Sequence, residues 1–306
     1  MRSGFVAIAG RPNVGKSTLL NRLLGEKVAI VSPKPQTTRT RLLGILTRED
    51  AQLVLVDTPG IHEPRGPLGQ AMVRTAVGAL AEVDLVLVLV EAGPPHPGDR
   101  LVLEAAGQSR KPVILAVNKI DRLRRKTELI PVLDEMAKLA DFEAVVPISA
   151  LTGENLDELV RVLVARLPEG PPLFPPDMVT DQTERALAAE LIREQVVLQT
   201  EQELPYTTAV QIDAWEEVPG PPQPEAAPDE PPPRRLVRIA ATIHVERESQ
   251  KGIVIGQGGR RLKAIGTAAR EGLERLLGCR VYLELFVRVE PRWTRDPRRL
   301  REFGYG

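Results

Sequence analysis

The chain has 306 residues, 42% of them hydrophobic and 27% charged, which suits a soluble intracellular protein with room for two sizeable cores. A single cysteine, Cys279, excludes an intrachain disulfide framework, and His62, His96 and His244 lie too far apart for zinc-site spacing. The 41 basic and 41 acidic residues cancel, no apolar run approaches a membrane span, and Met1-Arg2-Ser3-Gly4 lacks a signal-peptide pattern, so an integral membrane segment is excluded and the cytoplasm is the expected location.

In chain order, an apolar run at 5–9 reads as a strand and 16–24 as a helix. Between them stands Gly10-Arg11-Pro12-Asn13-Val14-Gly15-Lys16-Ser17, with Thr18 following. In this strand–loop–helix context the backbone N–H groups and the helix N-terminus face the α- and β-phosphates, Lys16 reaches the β- and γ-phosphates, and the Ser17 hydroxyl ligates Mg²⁺. Strands follow at 42–47 and 52–57, joined too tightly for a crossover helix and so expected to pair antiparallel. The second ends in Asp57-Thr58-Pro59-Gly60, where Asp57 can hold a Mg²⁺-bound water and Gly60 offers an N–H to a γ-phosphate.

Helical patterns at 68–81, 100–109, 127–140 and 155–167 then alternate with strands at 85–90, 113–118 and 144–149. The strand at 113–118 delivers Asn118-Lys119-Ile120-Asp121. The Asp121 carboxylate can accept from guanine N1–H and the 2-amino group, whereas adenine would leave it desolvated and unpaired, so GTP is favoured over ATP. The last strand leads into Ser149-Ala150-Leu151, a source of a backbone N–H for guanine O6. The alternation predicts a doubly wound α/β sheet with helices on both faces and every motif at the carboxyl ends of its strands.

Pro168 to Pro176 breaks the pattern and reads as a semi-rigid linker, giving a boundary at 169–180 between a domain at 1–168 and one at 181–306. Beyond it come an amphipathic helix at 181–200 and strands near 206–216 and 235–246. Between these strands, 219–233 is too polar and proline-rich to pack and reads as an exposed hairpin loop. A helical turn, a Gly-x-x-Gly loop at Gly256-Gln257-Gly258-Gly259, a helix to Leu277 and a strand at Arg280–Val289 complete the order. Residues 235–306 hold 16 Lys and Arg against 8 Asp and Glu, a surplus that points to a polyanion. Glycines allow close approach to a nucleic-acid backbone, Arg260, Arg261 and Lys263 can neutralise phosphates, and an adjacent apolar groove would accept about four splayed bases. Lys251 and Ile255 join this set of candidate RNA contacts.

The chain resembles the Era family of bacterial GTPases along its whole length, in the four nucleotide motifs and in Gln36-Thr37-Thr38-Arg39, Leu204-Pro205-Tyr206 and Val254-Ile255-Gly256-x-x-Gly259. The resemblance implies an α/β P-loop GTPase domain with a mixed, mostly parallel sheet, followed by an α+β type II KH domain with a basic C-terminal tail. It implies GTP/GDP and Mg²⁺ as cofactors, with Ser17 and Thr38 as direct metal ligands and Asp57 acting through water. Lys16, Thr38, Gly60 and Asn13 are then the groups at the reacting phosphate. Asn13 is either a loop-stabilising residue or, as in related GTPases, part of a K⁺ site. The implied partners are the single-stranded 3′ end of the small-subunit rRNA and the small ribosomal subunit, for a monomeric protein acting in subunit assembly. Ile61 follows Gly60 where a glutamine could orient water, so intrinsic turnover should be slow. A scaffold that uses nucleotide only for stability remains the alternative, and peripheral membrane association has no motif to support it.

Overall fold

The computed structural model describes residues 1–34, 37–202, 204–218 and 236–305, and these form two compact units. The first is built on Met1–Gln182 and joined by the extreme C-terminus; the second is Thr183–Phe303.

In the first unit β1 (Arg2–Ala9), α1 (Lys16–Leu24), β2 (Leu42–Thr47), β3 (Ala51–Asp57), α2 (Gly66–Ala81), β4 (Leu85–Glu91), α3 (Pro97–Gln108), β5 (Val113–Asn118), α4 (Leu129–Ala137), β6 (Ala144–Pro147) and α5 (Leu156–Val164) follow in turn. The sheet order is β2-β3-β1-β4-β5-β6. Only β2 runs antiparallel to its neighbour, because its link to β3 is a tight turn. The strands read as unbroken apolar runs because both faces are buried: Val6, Ile8, Leu53 and Leu87 face one core, and Ala7, Val54, Val56 and Val88 the other. The parallel strands β1, β3, β4 and β5 therefore end at one edge of the sheet, which is where the chain turns out into the motif loops.

The expected linker at 169–180 belongs to this first unit. Proline there prevents a helix but not backbone pairing. Ile45 N–H donates to Val179 O at 2.8 Å, Thr180 bridges Gly44, and the buried Gln52 carboxamide both accepts from the N–H groups of Leu173 and Phe174 and donates to Phe174 O. The segment thus covers the free edge of β2, which would otherwise expose unpaired backbone groups.

The second unit contains α6 (Glu184–Gln199), β7 (Ala209–Val218), β8 (Leu236–Val245), α7 (Glu248–Ile255), α8 (Arg260–Leu277), β9 (Arg280–Val289) and α9 (Pro297–Glu302). Its sheet is ordered β7-β8-β9, with β8 and β9 parallel, a pairing that the α7–α8 crossover makes possible. One sheet face packs on the helices through Ile239, Ala241, Ile243 and Val281, against Leu191, Ile192, Ile265 and Leu273. The basic tail is not a loose extension: Trp293 is fully buried with its Nε1–H on Thr207 O, and α9 buries Leu300. The expected hairpin loop at 219–233 lies outside the described residues.

Candidate active site and nucleic-acid groove

The loop after β1 is held open by left-handed backbone at Asn13 (φ 66°) and Gly15 (φ 103°). Gly15 is required twice over, since a Cβ there would come 2.5 Å from Asn118 Nδ2. Lys16, the first residue of α1, is buried and donates from Nζ to the carbonyls of Gly10 and Arg11. Burial lowers its pKa to about 8, with Arg11 adding to the effect and Asp57 opposing it.

Three oxygens meet beside it. Ser17 Oγ lies 2.8 Å from Thr38 Oγ1 and donates to Asp57 Oδ2 at 2.8 Å. Neighbouring Thr37 also lines the cavity but donates its hydroxyl to Lys34 O. Asp57 is fully buried, its pKa raised by desolvation against the pull of Lys16 and its hydroxyl partners, and its Oδ1 has no hydrogen-bond partner among the described residues. Two hydroxyls and a carboxylate with an unsatisfied buried oxygen form a hard oxygen-donor set of the kind Mg²⁺ requires.

A cavity of about 250 Å³ joins the four motifs: Pro12, Asn13, Lys16 and Thr18 at the phosphate end, Gly60 at its side, and Lys119, Asp121 and Leu151 at the base end. Ser149 Oγ donates to Asp121 Oδ1 and fixes that carboxylate. Other members of the sequence set support the cavity without lining it. Val14 is core, Thr58 donates to Ile8 O, Pro59 is buried, and Gly10 O accepts from Ile61 N–H. Gly60 packs on Pro12, whose ring and N would sit 2.8 to 2.9 Å from an added Cβ.

Two residues do more than their motif indicates. The buried Asn118 carboxamide donates to Val14 O at 2.7 Å and accepts from Ala150 N–H at 2.9 Å, so it ties three motifs together and engages the Ala150 N–H. Arg11 points away from the cavity to Glu91 and Asp99, both at 3.1 Å, while Glu91 also receives Lys119, whose Nζ donates to Asn13 O. Glu91 and Asp99 escaped the sequence reading. The available signal was an ionisable residue closing the buried strand β4, the position that Asp57 and Asn118 hold on β3 and β5.

In the second unit, Gly256 (φ 70°), Gly258 (φ 59°) and Gly259 (φ 77°) turn the chain from α7 into α8. Nothing lies within 4 Å of a Cβ built at Gly258 or Gly259, so this backbone is open to a ligand. Beside it a groove of about 410 Å³ runs between α8 and β9, lined by Gly259, Leu262, Lys263, Gly266, Thr267, Arg270, Leu283 and Leu285. Of the candidate RNA contacts only Gly259 and Lys263 line it. Arg261 donates back to Ile253 O, Arg260 reaches the exposed Gln257, and Lys251 and Ile255 remain on α7. The apolar wall from β9 and the cation Arg270 were not foreseen, being set by tertiary packing.

A family model described as a 50S ribosome-binding GTPase matches residues 5–119, and a KH domain model matches 229–294. The chain is 52% identical to GTPase Era of Syntrophus aciditrophicus over 99% of this chain and 95% of that protein. It is 50% identical to GTPase Era of Geobacter metallireducens over 99% and 98%. Two solved structures align with a TM-score of 0.91 at 46% identity. One is a tyrosine-to-alanine variant of Aquifex aeolicus Era bound to GDP and aluminium fluoride, covering all of both chains. The other is Era in complex with MgGDPNP and nucleotides 1506–1542 of 16S ribosomal RNA, covering 100% of this chain and 99% of that one. With a Mg²⁺-compatible guanine-nucleotide cavity in one unit and a Gly-x-x-Gly groove in the other, the chain belongs to the Era family of GTPases and hydrolyses GTP.

Proposed function

We propose that the protein is a GTP-driven switch that grips the single-stranded 3′ region of 16S rRNA and acts as a cytoplasmic monomer in small-subunit assembly. The groove beside Gly256–Gly259 carries this reading, since its apolar floor and open backbone suit splayed bases and the structural relative holds that rRNA segment. No described helix is long and apolar enough to cross a membrane.

Mg²⁺ would be held by Ser17 and Thr38 directly and by Asp57 through water, and it would supply neutralisation of phosphate charge. Lys16 places a cation on the transferring phosphate, Gly60 offers its N–H, and Asp121 reads guanine. Thr38 belongs to the segment between α1 and β2, and its hydroxyl already meets Ser17 and Asp57. A γ-phosphate and metal there would fix that segment, which is how nucleotide state would reach the rest of the protein. Ile61 cannot orient water, so unassisted turnover is slow. Asn13 Nδ2 donates to Pro33 O at 2.9 Å, which leaves the side-chain oxygen for K⁺.

The test is RNA affinity in two nucleotide states. A switch requires different affinities with GDP and with a non-hydrolysable GTP analogue, whereas equal affinities leave a nucleotide-stabilised scaffold, a reading that Ile61 favours.

A further inference from the structure

Arg39 closes the Gln36-Thr37-Thr38-Arg39 motif but does not line the nucleotide cavity. It directly follows Thr38, in a stretch between α1 and β2 whose described residues form no helix or strand, and yet it is only 3% exposed. An arginine stays charged, so burying its guanidinium costs free energy unless the surroundings replace the lost hydration. An aromatic face contributes to that replacement. Arg39 Cζ lies 5.2 Å from the centroid of the Tyr305 ring, within the range of a cation–π contact. Tyr305 is half-buried in the short stretch at 304–306 that joins the first unit, and Gly304 before it takes left-handed backbone at φ 78°.

Burial strengthens such a contact, because the ring acts on a cation that water no longer screens. Its effect falls on Thr38. Adjacent Cα atoms are about 3.8 Å apart across a planar peptide, so a residue anchored by its side chain restricts the backbone of its neighbour. On the other side of Thr38, the Thr37 hydroxyl donates to Lys34 O at 2.8 Å and Asn13 Nδ2 donates to Pro33 O at 2.9 Å. Thr38 is thus flanked by fixed points, and its Oγ1 lies 2.8 Å from Ser17 Oγ and 3.4 Å from Asp57 Oδ2. An oxygen held in place before its ligand arrives spares the ordering entropy that a loose segment would lose on binding.

We propose that Tyr305 is a positioning residue for the GTP-bound state: its ring holds the Arg39 guanidinium, and Arg39 in turn presents Thr38 to Mg²⁺ and the γ-phosphate. The proposal rests on the reading of Thr38 as a metal ligand and adds a residue far along the chain to the nucleotide site.

The test is equilibrium binding of a fluorescent GDP and of a fluorescent non-hydrolysable GTP analogue to the full chain with Mg²⁺. Tyr305→Ala should weaken the GTP analogue about fivefold to tenfold, the scale of a desolvated cation–π contact, and change GDP affinity less than about twofold. It should also raise the Mg²⁺ concentration needed for half-maximal binding of the analogue. Tyr305→Phe keeps the ring face and should bind as the parent does, whereas Tyr305→Leu keeps apolar bulk without the ring and should behave as Tyr305→Ala. Arg39→Met should reproduce the loss, and Tyr305→Ala added to it should cost nothing further. Unchanged affinity for the analogue in Tyr305→Ala, equal losses of GDP and analogue, full retention by Tyr305→Leu, or additive losses in the double variant overturns the proposal. Failure of the Thr38 reading is separable, because Thr38→Ala would then spare the analogue, whereas failure of the Tyr305 role alone leaves the Thr38→Ala loss in place.

Discussion

Replacing Asn118 by alanine tests whether this residue acts as a support for the nucleotide loops. Its carboxamide meets two main-chain groups, Val14 C=O and Ala150 N–H, in residues that are at most 2% exposed. A methyl group satisfies neither. Each buried group left without a partner costs about 1–3 kcal/mol, so the nucleotide-free protein should lose roughly 3 kcal/mol, with a range of about 2–6. For a unit of this size that corresponds to a fall in melting midpoint of about 6–12 °C. The assay can separate the two units because both tryptophans, Trp215 and Trp293, lie in the second one. Far-UV circular dichroism of the nucleotide-free variant should show a destabilised transition that tryptophan emission does not follow. A loss under about 1 kcal/mol would refute the support role and leave Asn118 as a ligand contact alone.

Glu91→Gln should speed release of a fluorescent GDP several-fold, because one carboxylate joins Arg11 of the phosphate loop to Lys119 of the base motif; an unchanged release rate counts against the bridge. His244 is the only histidine of the second unit, buried against Phe303 with neither ring nitrogen hydrogen-bonded among the described residues, and burial lowers its pKa despite the opposing fields of Glu290 and Asp213. The unfolded state therefore binds the proton more readily. The stability contribution is complete above the ordinary histidine value near 6.5 and is lost as pH falls through it. The urea midpoint followed by tryptophan emission should drop between about pH 7.5 and 5.5, and His244→Gln should flatten that drop; an equal slope in the variant refutes it. Exchanging K⁺ for Na⁺ at constant ionic strength should slow GTP hydrolysis, and Asn13→Ala should abolish the difference. Equal rates in both salts for the parent would make Asn13 a loop residue only.

The sequence by itself determined the nucleotide chemistry, because a phosphate cradle is contiguous backbone: Gly10 to Ser17 needs only a strand before it and a helix after it. Strand ends carry the same local information, which is why Asp57, Asn118 and Ser149 were legible as neighbours of one site before any packing was known. The Gly-x-x-Gly turn was readable for a similar reason, since left-handed backbone at Gly256, Gly258 and Gly259 is a property of those residues alone. What the tertiary structure decided are the partners. Asn118 bonds Val14 across 104 positions, and Arg11 meets Asp99 across 88; such pairs depend on how parallel strands stack through their crossovers, and no short spacing encodes them. Proline content marked 169–180 as a break in the helices and strands but could not show that β2 leaves an edge for this segment to cover. Likewise the basic run after Gly259 suggested phosphate contacts for Arg260 and Arg261, yet Arg261 turns back to Ile253 while Lys263 and Arg270 face the groove. A helical side chain's direction follows from its position around the helix relative to β9, and only the packed structure fixes that relation.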